Sequence, residues 1–204
     1  MARPLQGIRV IDLSHVIAGP MASFYLAQLG AEVIKVEPPQ GEVMRQNPGF
    51  AAMNAGKRSL AIDIRARDGA AAVRELARSA DVFIENFRPG AVARAGLDEP
   101  TIRAIKPDIV YCSISGYGQE GEWSGRGAYD HVVQALTGMM MANGDDAAAP
   151  PSKVGFPVID VAAGLLAALA IVASLRRRDI EGKGQTVDAS MVQAALTLMY
   201  SFTS

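Results

Sequence analysis

The sequence predicts an α/β fold: an open, mostly parallel sheet with helices on both faces. Three observations carry that expectation. Short β-rich runs alternate with helical runs through the first half of the chain. Proline and glycine punctuate those runs where helices start and stop. The composition, 50% apolar and 20% charged, lies slightly under the usual charge of ~25% and suits a compact, well-buried enzyme domain. The 204 residues fit one domain, or one and a half, and are ample for a core.

Taken in order, Ile8 to Leu13 (IRVIDL) reads as the first strand. Pro20 to Leu29 reads as a helix, with proline near its first turn and Gly30 just past its end. Glu32 to Glu37 (EVIKVE) is the second strand and Arg58 to Asp63 a third. Asp68 is placed to cap a helix running to Ser79. Asp81 to Glu85 and Ile109 to Ser113 are further strands, with short helical pieces at Ala91 to Ala95 and Glu99 to Ile105 between them. Tyr129 to Met141 reads as one methionine-rich helix, and Asn143 to Pro151 as a loop with Asp145 and Asp146 in a solvated turn. An apolar helix follows from about Ile159, then a turn at Gly182 to Gly184, a strand at Gln185 to Asp188 and a helix from Ala189. The chain stops at Ser204 inside that helical pattern, so we expect part of a longer protein. This order predicts a Rossmann-like open sheet.

Composition removes several function classes. Lys plus Arg (20) nearly cancels Asp plus Glu (21), so no bulk cationic field exists for gripping nucleic acid. One cysteine, Cys112, excludes an intrachain disulfide. Two distant histidines, His15 and His131, argue against a histidine metal site. Val158 to Leu175 is 18 residues with a single charge, the lower edge of a membrane-spanning length. Asp160 near its start, its many alanines and the arginines at 176–178 favour a buried core helix instead. The start of the chain has no long apolar run of the secretory type, which makes the cytoplasm the expected compartment.

The dinucleotide fingerprint, the P-loop and the GxSxG elbow are missing. Open α/β sheets still bind ligands at the carboxyl ends of their strands, so the loops there are the places to inspect. Ser14 to Pro20 (SHVIAGP) enters a helix and offers backbone N–H groups to an anion, or is simply a tight turn. Asn54 to Ser59 sets Lys57 and Arg58 beside a glycine, a phosphate grip or a solvated basic pair. Asn86, Phe87 and Arg88 suit a nucleotide base near a phosphate. Five glycines in the twelve residues 116–127 suit a mobile lid. Among the acids, Asp12 ties down a loop, while Asp63, Asp68, Asp108 and Asp188 read as caps or surface groups. Asp160 stands apart, in the first turn of the apolar helix. Spacing alone allows an ordinary capping acid there, or a nucleophile kept ionised in a mostly dry pocket.

Six segments together resemble the family III CoA-transferases, the group of formyl-CoA and carnitine CoA-transferases: VIDLSHVIAGPMASFYLAQLGAEVIKVEPP, NAGKRSLAIDI, DVFIENFRPGAVARAGL, PDIVYCSISGYGQEG, YDHVVQALTGMM and VGFPVIDVAAGLLAAL. The resemblance runs over nearly the whole chain and implies the CoA-binding and catalytic large domain, without the family's small domain. It implies Asp160 as the catalytic aspartate. It implies coenzyme A contacts at Val16, Ala18, Lys57 or Arg58, Asn86, Phe87 and Arg94, and a lid at Gly116, Tyr117 and Gly118. CoA enters as substrate, with no permanent cofactor and no metal, and the implied assembly is an interlocked homodimer. Ile17 and Ser115 stand where formyl-CoA transferase has glutamine and lysine, which argues against formyl-CoA and oxalate. The related α-methylacyl-CoA racemases carry Gly-His-Asp where this chain has Ala128-Tyr129-Asp130. Tyrosine, with an ordinary pKa of ~10, is a poor base in that place. The resemblance therefore implies CoA transfer between acids through an aspartyl anhydride. The alternatives are a racemase-like isomerase and a CoA-binding module without turnover.

Overall fold

The structure is a computed structural model that describes residues 2–143 and 150–202. The elements run β1 (Arg9–Asp12), α1 (Ala18–Gln28), β2 (Glu32–Glu37), α2 (Gly49–Met53), β3 (Arg58–Ala61), α3 (Arg67–Ala77) and β4 (Val82–Glu85). After a 3-10 turn at Ala93–Ala95 come α4 (Glu99–Ile105), β5 (Val110–Ser115), α5 (Asp130–Leu136), α6 (Met139–Ala142), α7 (Val158–Glu181), β6 (Thr186–Ser190) and α8 (Met191–Leu198). The six strands form one sheet in the order β3-β2-β1-β4-β5-β6, and every pairing is parallel. The order reverses between β1 and β4, so a crevice opens there, outside the carboxyl ends of those two strands.

The central strands read as near-continuous apolar runs because both of their faces are covered. Side chains alternate between the faces. Val10, Val82, Ile84, Val110, Cys112 and Ile114 pack beneath α1, α5, α7 and α8. Ile11, Phe83 and Tyr111 pack beneath α3 and α4, where the Phe83 and Tyr111 rings stack. Each buried Ile or Phe contributes about 1.5–3 kcal/mol over exposure.

α7 is long and apolar enough, by length and composition, to cross a membrane, yet half of its most apolar stretch is buried within this fold. Ile159, Ala163, Ala167, Ile171 and Leu175 face the sheet and α1. Gly164 sits at the crossing with α1: a Cβ there would lie 2.6 Å from the Ala18 carbonyl oxygen and 2.8 Å from Met21 Cβ. Both helices return the chain from the carboxyl end of a strand to the start of a parallel one, so they run in the same direction. Their first turns therefore lie side by side at the crevice edge of the sheet.

Four local expectations need correction. The residue before α3 is Ala66, in extended conformation, and Asp68 lies inside the first turn, where it meets the helix dipole and does not cap. The helix expected over 129–141 breaks into α5 and α6 because Gly138 adopts φ 80°. The last strand extends to Ser190, whose hydroxyl then accepts the Gln193 N–H and caps α8. The five-residue α2 stands in what reads as loop, since one turn of helix leaves no periodicity. The turn expected at Asp145 and Asp146 lies outside the described residues.

Gly164→Val will overpack the α1–α7 crossing. We expect a loss of about 1–3 kcal/mol in urea unfolding, since neither backbone can retreat without uncovering the sheet.

Candidate active site

β1 ends at Asp12, whose carboxylate is fully buried on the α1 side of the sheet. It accepts the Ser14 N–H (2.9 Å), the Ser14 hydroxyl, the Ser23 hydroxyl (2.5 Å) and the Lys57 ammonium (3.1 Å). Burial alone would raise its pKa, but Lys57, Lys35 and the two serines hold it below the usual carboxylate range. Lys35 pairs in register with Asp12, donates to the Ser14 carbonyl (2.7 Å) and lies 3.2 Å from Glu42. Glu42 is buried too, and burial pushes its carboxyl up despite Lys35.

This cluster fixes the loop that follows. Asn86, just past β4, reaches across the switch point: its Oδ1 accepts the His15 N–H and its Nδ2 donates to the His15 carbonyl, both at 2.8 Å. The His15 and Phe87 rings pack at 4.9 Å. Burial, and next the charge of Lys35, lower the His15 pKa. Val16 is held at φ 66°, a left-handed conformation that strains a β-branched residue. No acceptor among the described residues takes the N–H groups of Val16, Ile17, Ala18 and Gly19. These donors open α1 at the crevice edge.

Asp160 lies in the first turn of α7, one turn ahead of Gly164 and on the same stripe, and Gly164 packs on Ala18 and Met21 at the head of α1. Pro157 precedes α7 and has no side-chain hydrogen bond to cap it. The cap comes from α5: Asp130 Oδ2 accepts the N–H groups of Ile159 (2.7 Å) and Asp160 (3.0 Å). Asp130 is itself buried and held by the Gln134 side-chain amide, and Gln134 accepts the Val154 N–H at 2.8 Å. The Asp160 carboxyl is half-buried and takes no hydrogen bond among the described residues. Burial, and next the charge of Asp130, push its pKa up to about 7.

Two cavities flank the wall made by His15 and Phe87. The larger, about 530 Å³, opens over the ends of β1, β2 and β3, between apolar Leu13, Val36, Ile62 and Ile64 and the acids Glu37 and Glu42. The smaller, about 370 Å³, opens over β1, β4 and β5, and Arg88, Gly116, Arg126 and Tyr129 help line it. The glycine-rich loop over the smaller cavity is tethered at three points. Gly118 N–H meets Ser115 Oγ (3.0 Å), Gln119 N–H meets Asp188 (2.9 Å), and the Gly116 carbonyl accepts the Val192 N–H (3.1 Å). The Tyr117 and Trp123 rings meet edge to face at 5.6 Å.

The structure brings Asn86, Phe87 and Gly116 together in the smaller cavity, with Val16 and Ala18 at the head of α1 after His15; Asp160 lines neither cavity and stands one turn ahead of Gly164, which packs on Ala18. It does not bring Lys57 and Arg58 to the crevice as cations for a ligand. Lys57 is buried and spends its protons on Asp12, the Pro20 carbonyl (2.9 Å) and Asn54 Oδ1 (2.8 Å), so the phosphate contact expected of it has no donor left. Arg58 opens β3 at the opposite, amino edge of the sheet and pairs with Glu32 at 2.6 Å. Arg94 is exposed on the 3-10 turn and lines neither cavity. Asp130, Ser23, Lys35, Glu42 and Arg126 went unassigned in the sequence. Only Asp130 left a signal, an acid at the start of a predicted helix.

The chain matches CoA-transferase family III over residues 5–203. The succinate–glutarate CoA-transferase of Agrobacterium fabrum is 40% identical over 95% of this chain and 52% of its own length. The formyl-CoA:oxalate CoA-transferase of Streptomyces avermitilis is 40% identical over 97% of this chain and 50% of its own. Among solved structures, a CaiB/BaiF family protein from Brucella suis superposes with TM-score 0.91 at 36% identity, covering 100% of this chain and 58% of that one. Rv3272 from Mycobacterium tuberculosis superposes with TM-score 0.94 at 35% identity, covering 99% and 57%. The chain spans about half the length of the curated relatives it matches.

Asp12→Asn will leave two buried lysines facing a neutral amide. We expect a loss of about 3–5 kcal/mol in urea unfolding at neutral pH. A carboxylate of lowered pKa stabilises the fold above its unfolded pKa, so the gap between the two proteins will close as pH falls below about 4.

Proposed function

The chain belongs to CoA-transferase family III, and from that premise we propose that it moves CoA from an acyl-CoA donor to a carboxylic acid, with Asp160 as the nucleophile. One observation carries the reading: a half-buried carboxyl, free of hydrogen bonds among the described residues, stands one turn ahead of Gly164, which packs on the head of α1, where the N–H groups of Val16 to Gly19 are open. The Asp160 carboxylate attacks the donor thioester carbonyl and CoA thiolate leaves, forming a mixed anhydride. The thiolate then attacks the aspartyl carbonyl, giving an aspartyl-CoA thioester and the donor acid. The acceptor carboxylate attacks that thioester and expels the thiolate again. The thiolate takes the acceptor's acyl group from the second anhydride, and Asp160 returns as a carboxylate.

Each attack puts negative charge on a carbonyl oxygen, which the N–H groups opening α1 are placed to receive. Because Asp160 accepts no hydrogen bond, nothing in the described structure dulls its lone pairs. The larger cavity suits the adenine end of CoA, with apolar walls for the ring and the Glu37 and Glu42 side for its amino group. The loop over residues 116–127 excludes water, which would otherwise hydrolyse the anhydride.

The acids named for the relatives above, succinate, glutarate and oxalate, are dicarboxylic. We take that class for this chain. Tyr129, exposed, stands where the racemases have their histidine, which favours transfer over isomerisation. Leu165 and Leu169 on α7 and Leu196 and Leu198 on α8 expose an apolar face. We assign that face to the remaining length of the protein and a second copy in a cytoplasmic homodimer, with neither a membrane nor nucleic acid as partner.

Incubation with an acyl-CoA followed by hydroxylamine will leave a hydroxamate on Asp160, seen by peptide mass spectrometry, and Asp160→Asn will leave none. An unmodified Asp160 with CoA still bound would instead make the chain a binding module. Turnover requires ionised Asp160, so the rate will rise with pH to a plateau above about 7. Asp130→Asn removes the repelling charge yet keeps an acceptor for α7, so the midpoint of that rise will move to lower pH.

A further inference from the structure

We propose that Arg126 selects the acceptor by holding its second carboxylate, the one that does not react. This rests on the transfer reading and goes beyond it, to the residue that distinguishes dicarboxylic from monocarboxylic acids.

The two cavities differ in charge. Glu37, Glu42, Asp63 and Arg65 line the larger one, each acid with a cation beside it, whereas no acid lines the smaller, where Arg88 and Arg126 face an otherwise neutral wall. The Arg126 guanidinium lies 4.5 Å over the Trp123 ring, and that ring meets Tyr117 edge-on. An indole face positions a cation without consuming its N–H donors. Neither a carboxylate nor any hydrogen-bond acceptor takes the Arg126 side chain among the described residues. By contrast Arg9, Arg45, Arg103 and Arg178 each pair with an acid. Arg126, exposed at the cavity rim, is thus a cation held in place by an indole face with its N–H donors open to an anion.

Its place identifies the anion. The cavity wall at Ala128 and Tyr129 leads directly into Asp130, which holds the backbone of Asp160. Four residues separate Arg126 from Asp130, at most roughly 14 Å of chain. The CoA diphosphate, by contrast, lies a full pantetheine arm from the thioester. The acceptor's reacting carboxylate loses its charge when it becomes an acyl group, and a guanidinium on it would stabilise the ground state and slow attack. A distal carboxylate keeps its charge through every step. It matches the planar fork of arginine with two parallel N–H···O bonds.

The test uses binding alone. Trp123 is the only tryptophan in the chain, so its emission reports on the Arg126 environment directly. We expect glutarate to change that emission saturably and pentanoate, with the same carbon count and one carboxylate, to leave it unchanged. Arg126→Gln will weaken glutarate binding about tenfold to a hundredfold, the range for a hydrogen bond to a charged group. Arg126→Lys will recover part of the loss, and calorimetric binding of CoA itself will be unchanged in both variants. Equal responses to glutarate and pentanoate, no response to glutarate, or weakened CoA binding with glutarate unaffected would overturn the proposal. Failure of the transfer reading shows separately, as an absent hydroxamate on Asp160 in the unsubstituted protein.

Discussion

A carboxylate with no access to water must be neutralised where it stands, and at Asp12 that requirement organises the crevice. Its acceptor sites draw in Ser14 and Ser23 from either side of the α1 entry and Lys57 from the approach to β3. Lys35, one strand over, adds a second cation and a bond to the Ser14 carbonyl. Three segments distant in sequence are thereby locked at one point. The loop between β1 and α1 has no freedom left to relax, and Val16 keeps its left-handed backbone because its surroundings over-determine it. The open N–H groups at the head of α1 follow from this bracing.

The two carboxylates near that loop show how environment divides one side-chain chemistry into two roles. Asp12 is fully buried but surrounded by donors and cations, so it stays ionised and structural. Asp160 is less buried, has no donor on its oxygens and has Asp130 for a neighbour, so its ionised form is disfavoured. Asp130 serves two ends at once. It satisfies the backbone that opens α7, which Pro157 cannot cap, and its charge raises the energy of the Asp160 anion. A carboxyl held near its titration point, with little solvation to shed, follows from this arrangement.

Packing between α1 and α7 brings the two parts together. Gly164 permits the close crossing, and the parallel course of the helices puts Asp160, one turn ahead of Gly164, toward the head of α1. The smaller cavity lies on the other side of His15, under the glycine-rich loop, with its unpaired arginines. The larger space, lined by acids and Arg65, and the smaller, lined by two arginines and no acid, share the wall formed by His15 and Phe87.

Much of the architecture is legible in the sequence because the signals are local. The β-branched residues in EVIKVE mark β2 and its bounds, and the Glu99–Ile105 helix stands where its composition places it. The apolar run after Asp160 shows a long helix, and the glycines after β5 show a loop over the sheet edge. Asp160 stands out by its position in that run. Charge partnership was not legible in the same way. Lys57 beside a glycine reads as a grip for phosphate, yet its partner Asp12 lies 45 residues away, and only folding shows that the ammonium is already spent. Arg58, adjacent in sequence, emerges at the opposite edge of the sheet from the crevice. Asp130 gains its role only when α5 and α7 meet. Periodicity and turn chemistry act over a few residues and are written in the chain order. The fate of a charge depends on what the fold brings within a few ångströms of it, and that is decided in three dimensions.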